Sequence, residues 1–288
     1  MGTGRLLRRL LYPRWLRSGR VALGLLVVVA MLALALLAPA LAPHDPAAQD
    51  LTLTLQPVRL GSAFPLGTDG LGRCVLSRLL HGARLALWVA VAAAFGAMLL
   101  GSALAYAGGY LGGRTDWLIG RTVDAWTLFP PVVLALILLV GLGAGSTHLV
   151  LAIILAEWPR VCRVLCCEVR KGMRRDHVAA ARLLGFPHWR TLLLEVVPAT
   201  VPRLLTLLAL EMGSAVVMAA ILGVIGLGVT PDQAAWGQMI ADGRAVIHQA
   251  PANLLAPAAA IVITVAGFNL LGEGLRRTLE PRPVGGRQ

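Results

Sequence analysis

Six runs of about the length needed to cross a bilayer, three of them without a single charge, constrain this chain more than any other feature. They are Val21 to Ala42, then about Leu85 to Tyr110, Trp126 to Ala144, His148 to Val169, Leu204 to Gly228 and Leu254 to Leu275. Crossing the hydrocarbon core takes about 20 mostly apolar residues in a helix. The pattern predicts an all-α polytopic membrane protein with six transmembrane helices. Composition agrees: 57% of the 288 residues are hydrophobic and 14% are charged, where soluble domains carry roughly a quarter. The net charge of +12 does not indicate nucleic acid, because the basic residues flank apolar runs instead of gathering on one soluble face. The first run follows an arginine-rich start, as a secretory leader would, but its 22 residues exceed the ~7–15 of a cleaved apolar region. It is read as an uncleaved span.

Arginine and lysine set the expected orientation. With a cytoplasmic N-terminus, 21 of the 26 basic residues fall inside, and only Arg59, Arg73, Arg78, Arg84 and Arg244 fall outside. Both termini are therefore expected in the cytoplasm. The chain divides into an N-terminal segment 1–20, the first span 21–42, an outer loop 43–84, a five-helix core 85–275 that contains a cytoplasmic loop 171–203, and a tail 276–288. In the outer loop, Val75, Leu76, Leu79, Leu80 and Ala83 oppose Arg73, Ser77, Arg78 and Arg84, the pattern of an amphipathic helix in the outer interface.

The loop 171–203 reads like a piece of soluble protein. Asp176 is suited to cap a helix, Val178 to Leu184 are mainly helix formers, and Gly185 suits the left-handed residue that ends one. Pro187 suits the start of a second helix, and Pro198 and Pro202 mark the approach to the fifth span. A first helix of about eight residues is marginal in water and needs a surface. Val178, Ala181 and Leu184 give it one apolar face sized for a groove on another protein.

These residues carry a resemblance. Ala179-Ala180-Ala181, Gly185 and Glu195-Val196-Val197-Pro198 resemble the EAA loop of the membrane subunits of bacterial ATP-binding-cassette (ABC) importers. "LGTDGLGRCVLSRLLHGARLAL", "GLGVTPDQAAWGQMIADGR" and "FNLLGEGLRRTLEP" are similar to further signatures of the dipeptide, oligopeptide and nickel permeases, second subunit type. Ala179 stands for the motif's glutamate, Glu195 for an apolar residue, Cys74 and Glu273 for aspartates, and Thr230-Pro231-Asp232 breaks a usual proline pair.

The resemblance implies a type I ABC importer permease fold in a bacterial inner membrane. It implies a heterodimer with a second permease subunit, one or two ATP-binding subunits, and an extracytoplasmic substrate-binding protein. ATP and Mg would sit in the partners, with no cofactor in this chain. Asp176, Val178, Ala179, Ala180, Ala181, Leu184, Gly185 and Pro198 would couple it to the motor. The sequence fits a passive role: Lys171 is the only lysine and does not stand in a GxxxxGK[ST] loop.

Ionisable groups inside spans mark functional candidates, which singles out Glu157 and Glu211 for the translocation path. Glu157 has Arg160 one turn away; Glu211 has no basic neighbour in sequence nearer than Arg203. With the resemblance, that isolated carboxylate tilts the reading toward a nickel or metal-chelate cargo over a peptide-only permease. Cys162, Cys166 and Cys167 and six scattered histidines are read as packing and loop residues, with no metal site assigned. A motor-independent channel or an intramembrane enzyme is the contrasting class, but the chain has neither a GxSxG elbow nor an HExxH pair, and neither alternative accounts for the loop.

Overall fold

The computed structural model describes residues 18–59, 61–183, 185–230 and 232–279. The arginine-rich segment through residue 17, Leu184 and the tail from residue 280 lie outside the described residues. Among the described residues the chain is helical apart from its loops and one isolated antiparallel bridge, Thr68 to Cys74.

Helix α1, Gly19–Leu41, starts at Ser18, whose hydroxyl accepts the Val21 N–H at 3.2 Å. A short 3-10 turn, Leu51–Leu53, follows. Asp50 caps it, and the hydrogen bonds from Thr52 hold the Asp50 carboxyl below the usual carboxylate range. Helix α2, Val75–Leu111, is continuous over 37 residues. The expected interfacial helix and second span are thus one element. In its first turns the polar residues Ser77 and Arg78 are buried alongside Val75, Leu80 and Ala83. Periodicity assigns Ser77 and Arg78 to a polar side with Arg84; the structure buries the first two and leaves Arg84 exposed.

The expected third span, Trp126 to Ala144, is helical only from Pro131 to Leu142. Helix α3, Gly113–Trp126, and helix α4, Pro131–Leu142, meet at 83°. Pro130 lacks the N–H that a continuous helix would use, and Pro131 sits at the start of α4. Helix α4 alone is ~18 Å long, short of the roughly 30 Å hydrocarbon core. Helix α5 covers Ser146–Met173, helix α6 Asp176–Leu183 and helix α7 His188–Thr191. A π-helical turn, Leu192–Val196, leads into helix α8, Val197–Val224. Helix α9, Trp236–Ala245, and helix α10, Ala252–Leu279, complete the chain.

By length and composition, α1, α2, the Leu192–Val224 helix and α10 can cross a membrane, and α3 with α4 make a fifth if the bent pair is one span. Helix α5 is long enough but carries Glu157, Arg160 and Arg163 through its middle.

Helix α2 packs most extensively on α5, and α10 packs on both α8 and α1. The α2–α5 approach depends on Gly101. A Cβ there would lie 2.8 Å from the Trp158 carbonyl oxygen and 2.7 Å from Val161 Cβ, so backbone and side chain both block it. Such close approach by small residues supplies helix association where lipid offers no hydrophobic contrast. Trp236 braces α9 to α2, its indole N–H donating to the Leu79 carbonyl at 2.9 Å.

Gly101→Ile is expected to lower the melting temperature of the purified chain by at least several degrees and to cut folded yield. Gly120→Ala, in α3 where nothing lies within 4 Å of the new Cβ, is expected to be neutral. Thermal melts of both in the same detergent check this.

Candidate functional site

The loop between α5 and α8 folds back on the bundle. Asp176 begins α6, within its first turn, and the Val178 N–H donates to the Arg175 carbonyl at 3.0 Å. At the other end Gly185 has φ +77°, and the Phe186 N–H reaches back to the Ala181 carbonyl at 3.2 Å. That is the six-to-one bond of a Schellman ending, for which a left-handed glycine is the natural residue. The Arg190 guanidinium lies 4.9 Å from the centre of the Phe186 ring, which steadies the turn into α7.

The described members of the face expected to be apolar are both covered by the chain itself. Val178 and Ala181 are buried, and Val178 packs with Tyr110, Val169 and Val196, against Tyr106, Met173 and Leu192 of the same chain. The side turned away carries Ala180 and Leu183, the latter 89% exposed. Sequence periodicity identified an apolar face but not that the chain itself covers it. Ala179 continues α6, and Pro198 sits in the first turn of α8. The π turn has a local cause: Pro198 and Pro202 each lack a backbone donor, and the Val197 N–H bonds to the Leu192 carbonyl in a five-residue register. Nearby, the Tyr106 hydroxyl of α2 meets the Thr200 hydroxyl of α8 at 2.6 Å.

The second constellation is a buried charge cluster between α5 and α8. Arg160 Nη2 lies 2.7 Å from the Glu211 carboxylate, and Arg160 Nε lies 3.4 Å from that of Glu157. Ser214 Oγ donates to Glu157 at 3.4 Å. Glu211 is 2% exposed and Glu157 6%, whereas the Arg160 side chain is half exposed. The sequence reading placed both carboxylates together as candidates but left Glu211 without a cation. Its partner comes from the neighbouring helix, 51 positions away in sequence, beyond the reach of any helical-periodicity argument. With two carboxylates on one guanidinium, the cluster carries a net negative charge when all three groups are ionised.

Cys162 and Cys166 are buried in an apolar cluster with Val161, Leu165 and Leu207, and Cys167 is exposed. Among the described residues, no three His, Cys, Asp or Glu side chains gather as a metal ion requires.

Replacing Arg160 strands two buried carboxylates, so Arg160→Met is expected to destabilise the chain by roughly 2 kcal/mol. That is below the ~3–5 of a fully buried broken pair, because Arg160 is half exposed. Adding Glu211→Gln to that variant is expected to restore part of the loss. Denaturant or thermal melts of the two single variants and the double variant measure the coupling.

Comparison with known proteins adds the following. Residues 97–284 match the family described as "Binding-protein-dependent transport system inner membrane component", and residues 14–57 match the "N-terminal TM domain of oligopeptide transport permease C". The chain is 36% identical to a probable D,D-dipeptide transport system permease of Escherichia coli K12, over 91% of this chain and 87% of the relative. It is also 36% identical to the nickel transport system permease of the same strain, over 95% and 97%. An oligopeptide transport system permease of Bacillus subtilis is 32% identical over 92% and 87%. Among solved structures, an amino acid ABC transporter crystallised with histidines shares the fold, with a TM-score of 0.54 and 19% identity over 69% of this chain and 94% of that one.

Proposed function

The chain belongs to the binding-protein-dependent inner-membrane permeases, in the second-subunit group of the dipeptide, oligopeptide and nickel systems, and from that premise we propose that it forms half of the translocation path of an ATP-driven importer. Six crossings follow in this reading: α1, α2, the bent α3–α4 pair, α5, α8 and α10, with both termini cytoplasmic. The arginine and lysine distribution supports that orientation. Two charges of α5 support a crossing sheltered by protein, since Arg160 meets Glu157 of its own helix and Glu211 of α8.

The partners in this reading are a second permease subunit, one or two ATP-binding subunits that hold ATP and Mg, and an extracytoplasmic binding protein. Helix α6 is the point of coupling, and the observation that carries this is its two-sidedness. Val178 and Ala181 fasten α6 to the ends of α2, α5 and the π turn. Ala180 and Leu183 remain open for the motor subunit. Asp176, Ala179, Leu184, Gly185 and Pro198 belong to the same lever, which Gly185 and the π turn join to α8. Motor closure would push the outer side of α6 and move α8 with it, shifting the population between inward- and outward-open arrangements.

The cargo is a short peptide or a metal chelate. The tilt toward metal rested on Glu211 standing alone, and its pairing with Arg160 withdraws that support. Glu157, Arg160 and Glu211 are proposed to border the path as a set, with the half-exposed guanidinium as the group nearest solvent. Parallel uptake of a nickel chelate and a neutral dipeptide into proteoliposomes, normalised to assembled complex, identifies the cargo. Uptake of neither removes both readings.

Leu183→Asp is expected to lower coupled transport at least fivefold, with normal insertion and melting behaviour and reduced copurification of the ATP-binding subunit. Val178→Asp is expected to lower the melting temperature, because it places a carboxylate inside the α2–α5–α8 packing. If Leu183→Asp imports at the normal rate with normal motor association, the outer side of α6 is not the coupling surface.

A further inference from the structure

Helix α3 presents two faces of different chemistry. Asp116, Ile119 and Val123 turn toward the bundle: Ile119 and Val123 join the apolar cluster around Trp158 and Leu165, and Asp116 accepts from Arg170 of α5 at 2.6 Å. Arg114, Trp117, Leu118 and Arg121 follow one another at i, i+3, i+4 and i+7, which puts them on one face. All four are exposed.

That outer face is positive as well as apolar. Among the described residues neither Arg114 nor Arg121 has a carboxylate within ion-pair distance, whereas both acids of α3 are engaged by α5, Asp116 by Arg170 and Asp124 by Arg163 at 3.0 Å. Four guanidiniums against two carboxylates leave two positive charges on this surface. The Arg121 guanidinium lies 5.7 Å from the centre of the Trp117 ring, a cation–π contact that orients it while its N–H donors stay free.

The level of this face in the bilayer follows from α5. Helix α3 runs antiparallel to it, since successive contacts step back along α5: Asp116 meets Arg170, Asp124 meets Arg163, and the Trp126 indole N–H donates to the Leu155 carbonyl at 2.6 Å. At 1.5 Å per residue, Arg163 stands about 26 Å from the Ser146 end of α5 and Arg170 about 10 Å farther on. The first is near the far edge of a ~30 Å hydrocarbon core, and the second is beyond it. The outer face of α3 therefore lies among the inner headgroups. Just past α3, toward the core, Leu128 and Phe129 are 81% and 52% exposed. The surface passes from basic to apolar in the order of a phospholipid read from headgroup to acyl chain, with Trp117 between, as tryptophans gather at that boundary.

We propose that this face binds an anionic phospholipid of the inner leaflet, with Arg114 and Arg121 on the phosphate and headgroup and Trp117, Leu118, Leu128 and Phe129 along the glycerol and acyl chains. Arginine matches phosphate oxygens through paired N–H donors. Two unneutralised charges select an anionic lipid over a zwitterionic one. The inference rests on the six-crossing reading with cytoplasmic termini, which assigns this level to the inner leaflet.

The test adds short-chain phosphatidylglycerol to the delipidated full complex in detergent and follows melting temperature against lipid concentration. Saturable stabilisation is expected, with phosphatidylcholine of the same chain length at least tenfold weaker. Arg114→Gln and Arg121→Gln are each expected to weaken the phosphatidylglycerol response about fivefold, the weight of one basic residue at an anionic surface. The double variant Arg59→Gln/Arg244→Gln removes the same charge from two exposed outer residues and is expected to respond as the parent does. The proposal is overturned by absence of a saturable response, by equal responses to the two lipids, or by an undiminished response in Arg114→Gln/Arg121→Gln. Inorganic phosphate stabilising as strongly as the lipid, or a response that appears only once the second permease subunit is removed, also overturns it. Labelling of Cys167, the exposed cysteine of α5, with an impermeant maleimide in sealed vesicles checks the orientation separately. Labelling from the outer side overturns the six-crossing reading and with it the inner-leaflet assignment; a failed titration with labelling from the inner side removes the lipid site alone.

Discussion

Helix α5 reaches α2 at backbone distance because residue 101 carries no side chain, and the rest of the bundle is arranged around that contact. With Gly101 against the Trp158 carbonyl and Val161, α5 is held at a fixed depth and rotation. That rotation turns Arg160 toward α8, where Glu211 meets it. It also brings Val169 to the pocket that receives Val178 of α6. A packing constraint between two helices thus sets the position of a charge cluster on one side and of a loop helix at the end.

The charge cluster shows why α5 tolerates its composition. Of the ionisable residues through its middle, which would be expensive facing hydrocarbon, Arg163 pairs with Asp124 of α3 at 3.0 Å, and Glu157 and Arg160 belong to the cluster. Glu157 and Glu211 are almost wholly buried and share one guanidinium, which keeps half its surface open. Desolvation of the carboxylates is offset by a short contact to Glu211 and a longer one to Glu157, and the exposed part of Arg160 retains access to water. The same geometry removes Glu211 as a free cation receptor, since its nearest charge belongs to the protein.

Much of the architecture was legible in the sequence, and the misses share one cause. Apolar length located the helices, and Gly185 marked a helix end. Each depends on local backbone chemistry. What the sequence did not disclose depends on which side of a helix meets which neighbour. Arg160 and Glu211 lie on different helices. Val178 and Ala181 have the same spacing whether they face a foreign groove or their own chain. Arg78 sits on the polar side of an amphipathic stripe, and periodicity assigns such a side to water, whereas here it is buried beside Asp69.

Helix α2 joins the two ends of the molecule without interruption, with Arg78 near its start and Tyr110 near its finish. An unbroken helix transmits angle as well as length. Each residue contributes about 100° of rotation and 1.5 Å of rise, so inserting or deleting a single residue between those points would swing one end by more than a quarter turn relative to the other. The Arg78 side chain would leave its buried place beside Asp69 if the Tyr110 end stayed docked, or Tyr110 would leave the α6 contact if the Arg78 end stayed. Many single substitutions along α2 disturb only the neighbours they touch, but a change in its residue count puts its two working ends out of phase.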